Sequence, residues 1–127
     1  MATDMPIWPD TLMRTLGSLP LSWLRACGWA LGQCLYILVP SRRRVVWTNL
    51  CLCFPAWSEA RRRQAARQVF VHFAQAWLDR GWLWHASETV LRQRLELLDP
   101  HQVLSQNQAT VLFAPHFVGL DAGWTRL

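Results

Sequence analysis

The chain has 127 residues, 52% of them hydrophobic, with nine tryptophans, thirteen arginines, no lysine, eight acidic residues and a net charge of +5. Cys27, Cys34, Cys51 and Cys53 exclude a disulfide framework, since two lie in an apolar segment and two are a single residue apart; a reduced, cytoplasm-facing protein is expected. Asp4 and Asp10 precede any apolar stretch and no positive lead stands before them, so no cleavable secretory signal is expected.

The charge is uneven. Residues 1–67 carry nine arginines against Asp4, Asp10 and Glu59, whereas residues 68–127 carry four against five acids. Arginine pairs with phosphate and indoles favour the membrane interface, so the front half points to a membrane surface. Nucleic acid is the competing partner for such a patch, but the arginines flank an apolar stretch and no nucleic-acid-binding motif accompanies them; no nucleic-acid partner is expected.

Leu19 to Val39 is the first strongly apolar stretch. Its length, roughly 31 Å as a helix, approaches that of a bilayer core. Arg25, Gln33, Ser22, Gly28 and Gly32 dilute it, and three readings stay open: a single weak span, an interfacial helix, and a buried core helix. Arg42-Arg43-Arg44 follows and would hold that end on the cytoplasmic side. Ser41 can cap a helix running to about Phe54, with Val46, Leu50, Cys53 and Phe54 on one face and Pro55 ending it. Ser58 can cap a longer helix in which Ala66, Val69, Phe70, Phe73 and Trp77 repeat at helical spacing. Gly81 is expected to break or bend it. Arg94 to Leu97 alternates as a short strand stopped by Asp99-Pro100. Residues 101–108 read as a loop or short helix, and Thr110 to Ala114 as a second strand.

Directly behind that strand stands His116-Phe117-Val118-Gly119-Leu120-Asp121. A histidine beyond a strand end, with a carboxylate five positions later, can make a base-plus-orienting-acid pair that draws a proton from a hydroxyl. The other reading of these residues is a histidine that only caps the strand end, with Asp121 a solvated helix residue. On one continuous helix the two side chains would lie roughly 140° apart. They converge if His116 sits in the turn and Asp121 on the first turns of the following helix. A metal site is not expected: His116 and Asp121 lack a third ligand at convincing spacing, and Cys51-x-Cys53 with His72 reads as packing. Tryptophans 77, 82 and 84 read as core, as interface anchors or as the lining of a groove.

In order, the N-terminal apolar helix, the basic cluster leading into Asn49-Leu50 and Cys53-Phe54-Pro55, the Ser58-Glu59 helix with its Trp77 to Trp84 tail, and Ala114-Pro115-His116-Phe117-Val118-Gly119-Leu120-Asp121 resemble the N-terminal part of the bacterial lipid A biosynthesis (lauroyl/myristoyl, late) acyltransferases. The resemblance implies a truncated α/β fold, in which N-terminal membrane-associated helices precede the first strands of an acyltransferase domain. Residues 1–40 would be a segment with a membrane-anchoring helix, and residues 41–127 an incomplete acyltransferase domain ending just after the His-x4-Asp motif. It further implies transfer of a fatty acyl chain from acyl carrier protein to a hydroxyl of a lipid A precursor glycolipid, at the cytoplasmic face of the inner membrane. His116 would be the general base and Asp121 its orienting carboxylate; no cofactor is implied, the acyl carrier protein thioester being a co-substrate. A glycerophospholipid acyltransferase with the same His/Asp chemistry and a truncated, non-catalytic membrane-associated protein are the alternatives.

Overall fold

Prolines and serines set the helix boundaries. The computed structural model describes residues 8–99, 101–105, 109, 111, 113–114 and 118–126. Helix α1 (Trp8–Ser18) stops short of Pro20, which caps α2 (Leu21–Leu38). Pro40 opens α3 (Pro40–Cys53), where its missing N–H leaves no bond unmade and its fixed φ suits the helix; Val39 therefore takes the capping position expected of Ser41. Ser58 caps α4 (Glu59–His85) as expected, its hydroxyl accepting the Arg61 backbone N–H at 3.3 Å. Helix α5 (Glu88–Arg94) follows. The Asp99 carboxylate then accepts the backbone N–H groups of Val103 and Leu104, both at 2.9 Å, and starts a 3-10 turn at Val103–Ser105. Helix α6 (Leu120–Arg126) completes the order.

Helix α4 is the axis against which α1, α2, α3 and α6 pack. Its buried positions include Ala66, Phe70, Ala74, Leu78 and Trp82, at successive four-residue steps along one helical face. Leu24, fully buried, anchors α2 against Leu78, Trp82 and Leu83. Gly28 and Gly32, one turn on, bring the two backbones into direct contact. A methyl on Gly32 would collide with the Val71 backbone, and one on Gly28 would reach the Gln75 side chain at 2.5 Å. The second crossing is built alike: a methyl on Gly17 of α1 would sit 2.6 Å from the Gly81 carbonyl oxygen. Between α2 and α4, Arg25 is paired with Asp79, whose carboxylate also accepts the Trp82 indole N–H at 2.9 Å. Near the α1–α4 contact, the Arg14 hydrogen bond and the nearby His85 hold the exposed Asp10 carboxyl below the ordinary carboxylate range, while desolvation opposes that shift.

These facts correct the expected architecture. Among the described residues there are helices and turns and no strand, so the α/β fold class is overturned in favour of a helical one. The Arg94 to Leu97 alternation fails as a strand because Arg94 closes α5, with the Leu95 N–H bonded to the Leu91 carbonyl at 2.8 Å. Four alternating residues find no neighbouring ladder, and β-propensity without a partner carries little weight. In the second expected strand, Val111 and Phe113 are 96% and 91% exposed and outside any ladder, while Thr110 and Leu112 lie outside the described residues.

Among the described residues no helix is long and apolar enough to cross a membrane, so the spanning reading of Leu19–Val39 gives way. Arg25, Gln33 and the glycines that dilute that segment are its packing surface on α4 or lie beside it. Gly81 does not break α4, because it is the close-approach point for α1. Of the expected α4 face, Ala66 and Phe70 are buried, but Val69, Phe73 and Trp77 are exposed.

Gly32→Ala should destabilise the fold by about 1–3 kcal/mol through overpacking against backbone, read as a lower midpoint in urea unfolding. An unchanged midpoint would refute the close crossing. Asp79→Ala strips both Arg25 and the Trp82 indole of a partner and should cost about 1–3 kcal/mol. Glu59→Ala, which opens only an exposed pair with Arg63, should stay within about 0.5 kcal/mol in the same titration.

Candidate active site

The motif enters the described structure at Val118. Gly119 takes a left-handed φ of 96°, a conformation that strains any side-chain-bearing residue. From there its carbonyl accepts the backbone N–H groups of Ala122 and Gly123, at 3.0 and 3.3 Å, and opens α6. Asp121 therefore falls in the first turn of a helix that begins behind the motif turn, where it was expected. His116 lies outside the described residues, as do Pro115 and Phe117.

Asp121 is engaged from the side by α4: Arg80 Nε donates to its Oδ2 at 2.8 Å. The Arg80 guanidinium also lies over the Trp84 ring, with Cζ 5.8 Å from the centroid, within the range of a cation–π contact. The two side chains of the ion pair are 40% and 47% exposed, so the site is open to solvent on this side. Sequence reasoning missed Arg80. The available signal was its phase, since Phe73, Trp77, Arg80 and Trp84 follow one another at steps of four, three and four along α4, which puts one arginine in an aromatic stripe.

Phe73, Trp77 and Arg80 of that stripe form the floor of a groove of about 340 Å³ whose far wall is Val118 to Asp121. Phe73 and Val118 also line an adjoining apolar hollow of about 520 Å³, closed by Leu35 and Val39 of α2's end, Val46 of α3 and Val69 of α4, with Arg42 at its edge. Side chains that a helical pattern would bury thus line an open apolar channel leading to Asp121. Trp77 and Arg80 belong to it; Trp82 is core, 4% exposed, and Trp84 is exposed beside Arg80.

Elsewhere, a polar cavity of about 750 Å³ lies between α2 and the front of α4, with His72 and Arg67 on its wall and Glu59 at its rim already taken by Arg63. Several arginines lie over aromatic rings: Arg61 over Trp57 at 4.1 Å, and Arg43 and Arg67 over Tyr36 at 5.3 and 5.6 Å. Among the described residues no three His, Cys, Asp or Glu side chains gather as a metal centre would require.

Comparison with known proteins places these features. No solved structure matches the chain. The lipid A biosynthesis lauroyltransferase of Escherichia coli (strain K12) is 26% identical over 108 residues, which is 83% of this chain and 35% of that protein. The chain thus spans about a third of the length of this curated relative. The model of the bacterial lipid A biosynthesis acyltransferases matches residues 10–127, from α1 through the motif and α6. The chain belongs to the bacterial lipid A biosynthesis acyltransferase family.

Proposed function

We propose that this chain carries the His116–Asp121 portion of an O-acyltransferase, which moves a fatty acyl chain from acyl carrier protein to a hydroxyl of a lipid A precursor. The observation that carries the reading is the family match over residues 10–127, which includes both motif residues, together with Asp121 at the mouth of an apolar channel. In the reaction the acceptor hydroxyl attacks the thioester carbonyl. Neutral His116 takes the hydroxyl proton as the new C–O bond forms, and Asp121 holds the imidazole and stabilises the imidazolium. The C–S bond then breaks and the thiol leaves with that proton. The channel between Phe73 and Val118, continuing to Val39 and Val46, suits the hydrocarbon chain, whose burial gains about 0.8 kcal/mol per methylene.

The cytoplasmic face of the inner membrane is the proposed location. Support comes from α2, which leaves Trp23, Trp29, Ile37 and Leu38 exposed, and from Arg42, Arg43 and Arg44 just beyond it. Indole and aliphatic side chains left exposed beside a basic cluster suit a membrane interface. Lying in the interface with arginines toward headgroups requires no spanning length.

His116→Ala, assayed in the membranes of the cell that makes the protein, should lower acyl transfer to the lipid A precursor by about 10²–10⁴-fold. Asp121→Asn should act in the same direction, and the circular dichroism of both variants should match the parent. Near-parental transfer by His116→Ala would sink the assignment. Supplying a lysophospholipid acceptor alongside separates the glycerophospholipid alternative, for which that acceptor alone would be consumed.

A further inference from the structure

We propose that Arg80 is a positioning residue of this site: its guanidinium, bonded to Oδ2, fixes the Asp121 carboxylate that the proposed mechanism uses to orient the general base. The inference rests on the acyltransferase reading above. Its first support is geometric, the 2.8 Å bond from Arg80 Nε to Asp121 Oδ2. A carboxylate has room for several donors, so one oxygen held by arginine leaves the other able to accept from a second group.

The second support is the difference between the two elements that the contact joins. Helix α6 has seven residues, too short to be stable alone, whereas α4 has 27 and is buttressed by α1, α2 and α3. Arg80 is therefore the fixed member of the pair and Asp121 the member being held. The neighbouring residue Asp79 is locked to Arg25 and to the Trp82 indole, which fixes the rotation of α4 at this point. Trp84 lies beneath the guanidinium and limits its swing.

The third support is energetic. Both side chains are nearly half exposed, and pairs so exposed add little to global stability. What such a pair does deliver is orientation, because the nearly half-exposed Asp121 side chain would otherwise sample several rotamers. For a carboxylate whose task is to aim an imidazole, orientation is the property that matters.

The test compares Arg80→Gln, Arg80→Lys, Asp121→Asn and the Arg80→Gln/Asp121→Asn double variant in steady-state transfer from acyl carrier protein thioester to lipid A precursor, using the protein in its native membranes. Arg80→Gln should lower kcat by about 10–100-fold, the scale of a misplaced catalytic group, with KM for either substrate within about twofold. Arg80→Lys should recover part of that loss. The double variant should be no slower than Asp121→Asn, since both changes disable one device. In parallel, amide hydrogen exchange of the purified chain should quicken in residues 121–125 of Arg80→Gln while the core of α4 is unchanged.

An unchanged kcat in Arg80→Gln, or a further full loss in the double variant, overturns the inference. So does a rise in KM with kcat preserved, which would make Arg80 a substrate contact. If His116→Ala and Asp121→Asn are inactive while Arg80→Gln is not impaired, the positioning role alone fails. Should those two variants retain full transfer, the acyltransferase assignment of the motif fails, and the exchange data then show only whether Arg80 anchors α6.

Discussion

Two helices reach backbone contact only where side chains step aside, and the crossing of α2 over α4 at Gly28 and Gly32 is the constraint on which the remaining structure hangs. It sets Leu24 into the core beside Leu78 and Trp82, and it brings Arg25 within reach of Asp79. A second bare crossing, Gly17 on Gly81, sets α1 against the same helix. With both crossings made, α4 has a defined rotation. The side that neither α1 nor α2 covers carries Phe73, Trp77 and Arg80, and there α6 meets it. The position of Asp121 is thus a consequence of where glycines stand far from it in sequence.

The packing also explains the uneven surface. Facing inward, α2 spends its small residues on contact with α4; facing outward, it keeps Trp23, Trp29 and Ile37 exposed without a charged residue among them. The arginines of α3 and of the front of α4 meet mainly aromatic rings, with Glu59 as the nearby acid in sequence. Uncharged apolar surface next to guanidinium groups is the combination that the proposed interfacial location requires.

Local signals were legible in the sequence, and signals needing a partner were not. Ser58 read correctly as a cap because its hydroxyl acts on a backbone N–H three residues on. Asp121 read correctly as a first-turn residue of a following helix, since Gly119 marks the turn. The order of motifs identified the family. Strands at 94–97 and 110–114 were misread because neither alternation nor an apolar run says whether a neighbouring ladder exists. Gly81 was misread as a break or bend, and Gly28 and Gly32 only as diluting an apolar stretch, because a glycine's use as a contact surface shows only once the opposite helix is present. The pairing of Arg80 was hidden for the same reason, its partner lying 41 residues away, although its phase in the aromatic stripe was there to be read.

Asp79 and Arg80 are consecutive, yet one is tied back to α2 and the other forward to α6. Successive residues of a helix point about 100° apart, so a single residue gained or lost between the Gly32 crossing on Val71 and Arg80 would turn the whole motif-bearing side away from its partner. A change of seven residues returns to within about 20° of phase but moves the contact along the axis by about two turns. Substitution can therefore explore this helix freely on its exposed face, whereas insertion and deletion have almost no room, and the length of that stretch of α4 is a more stringent inheritance than the identity of most side chains on it.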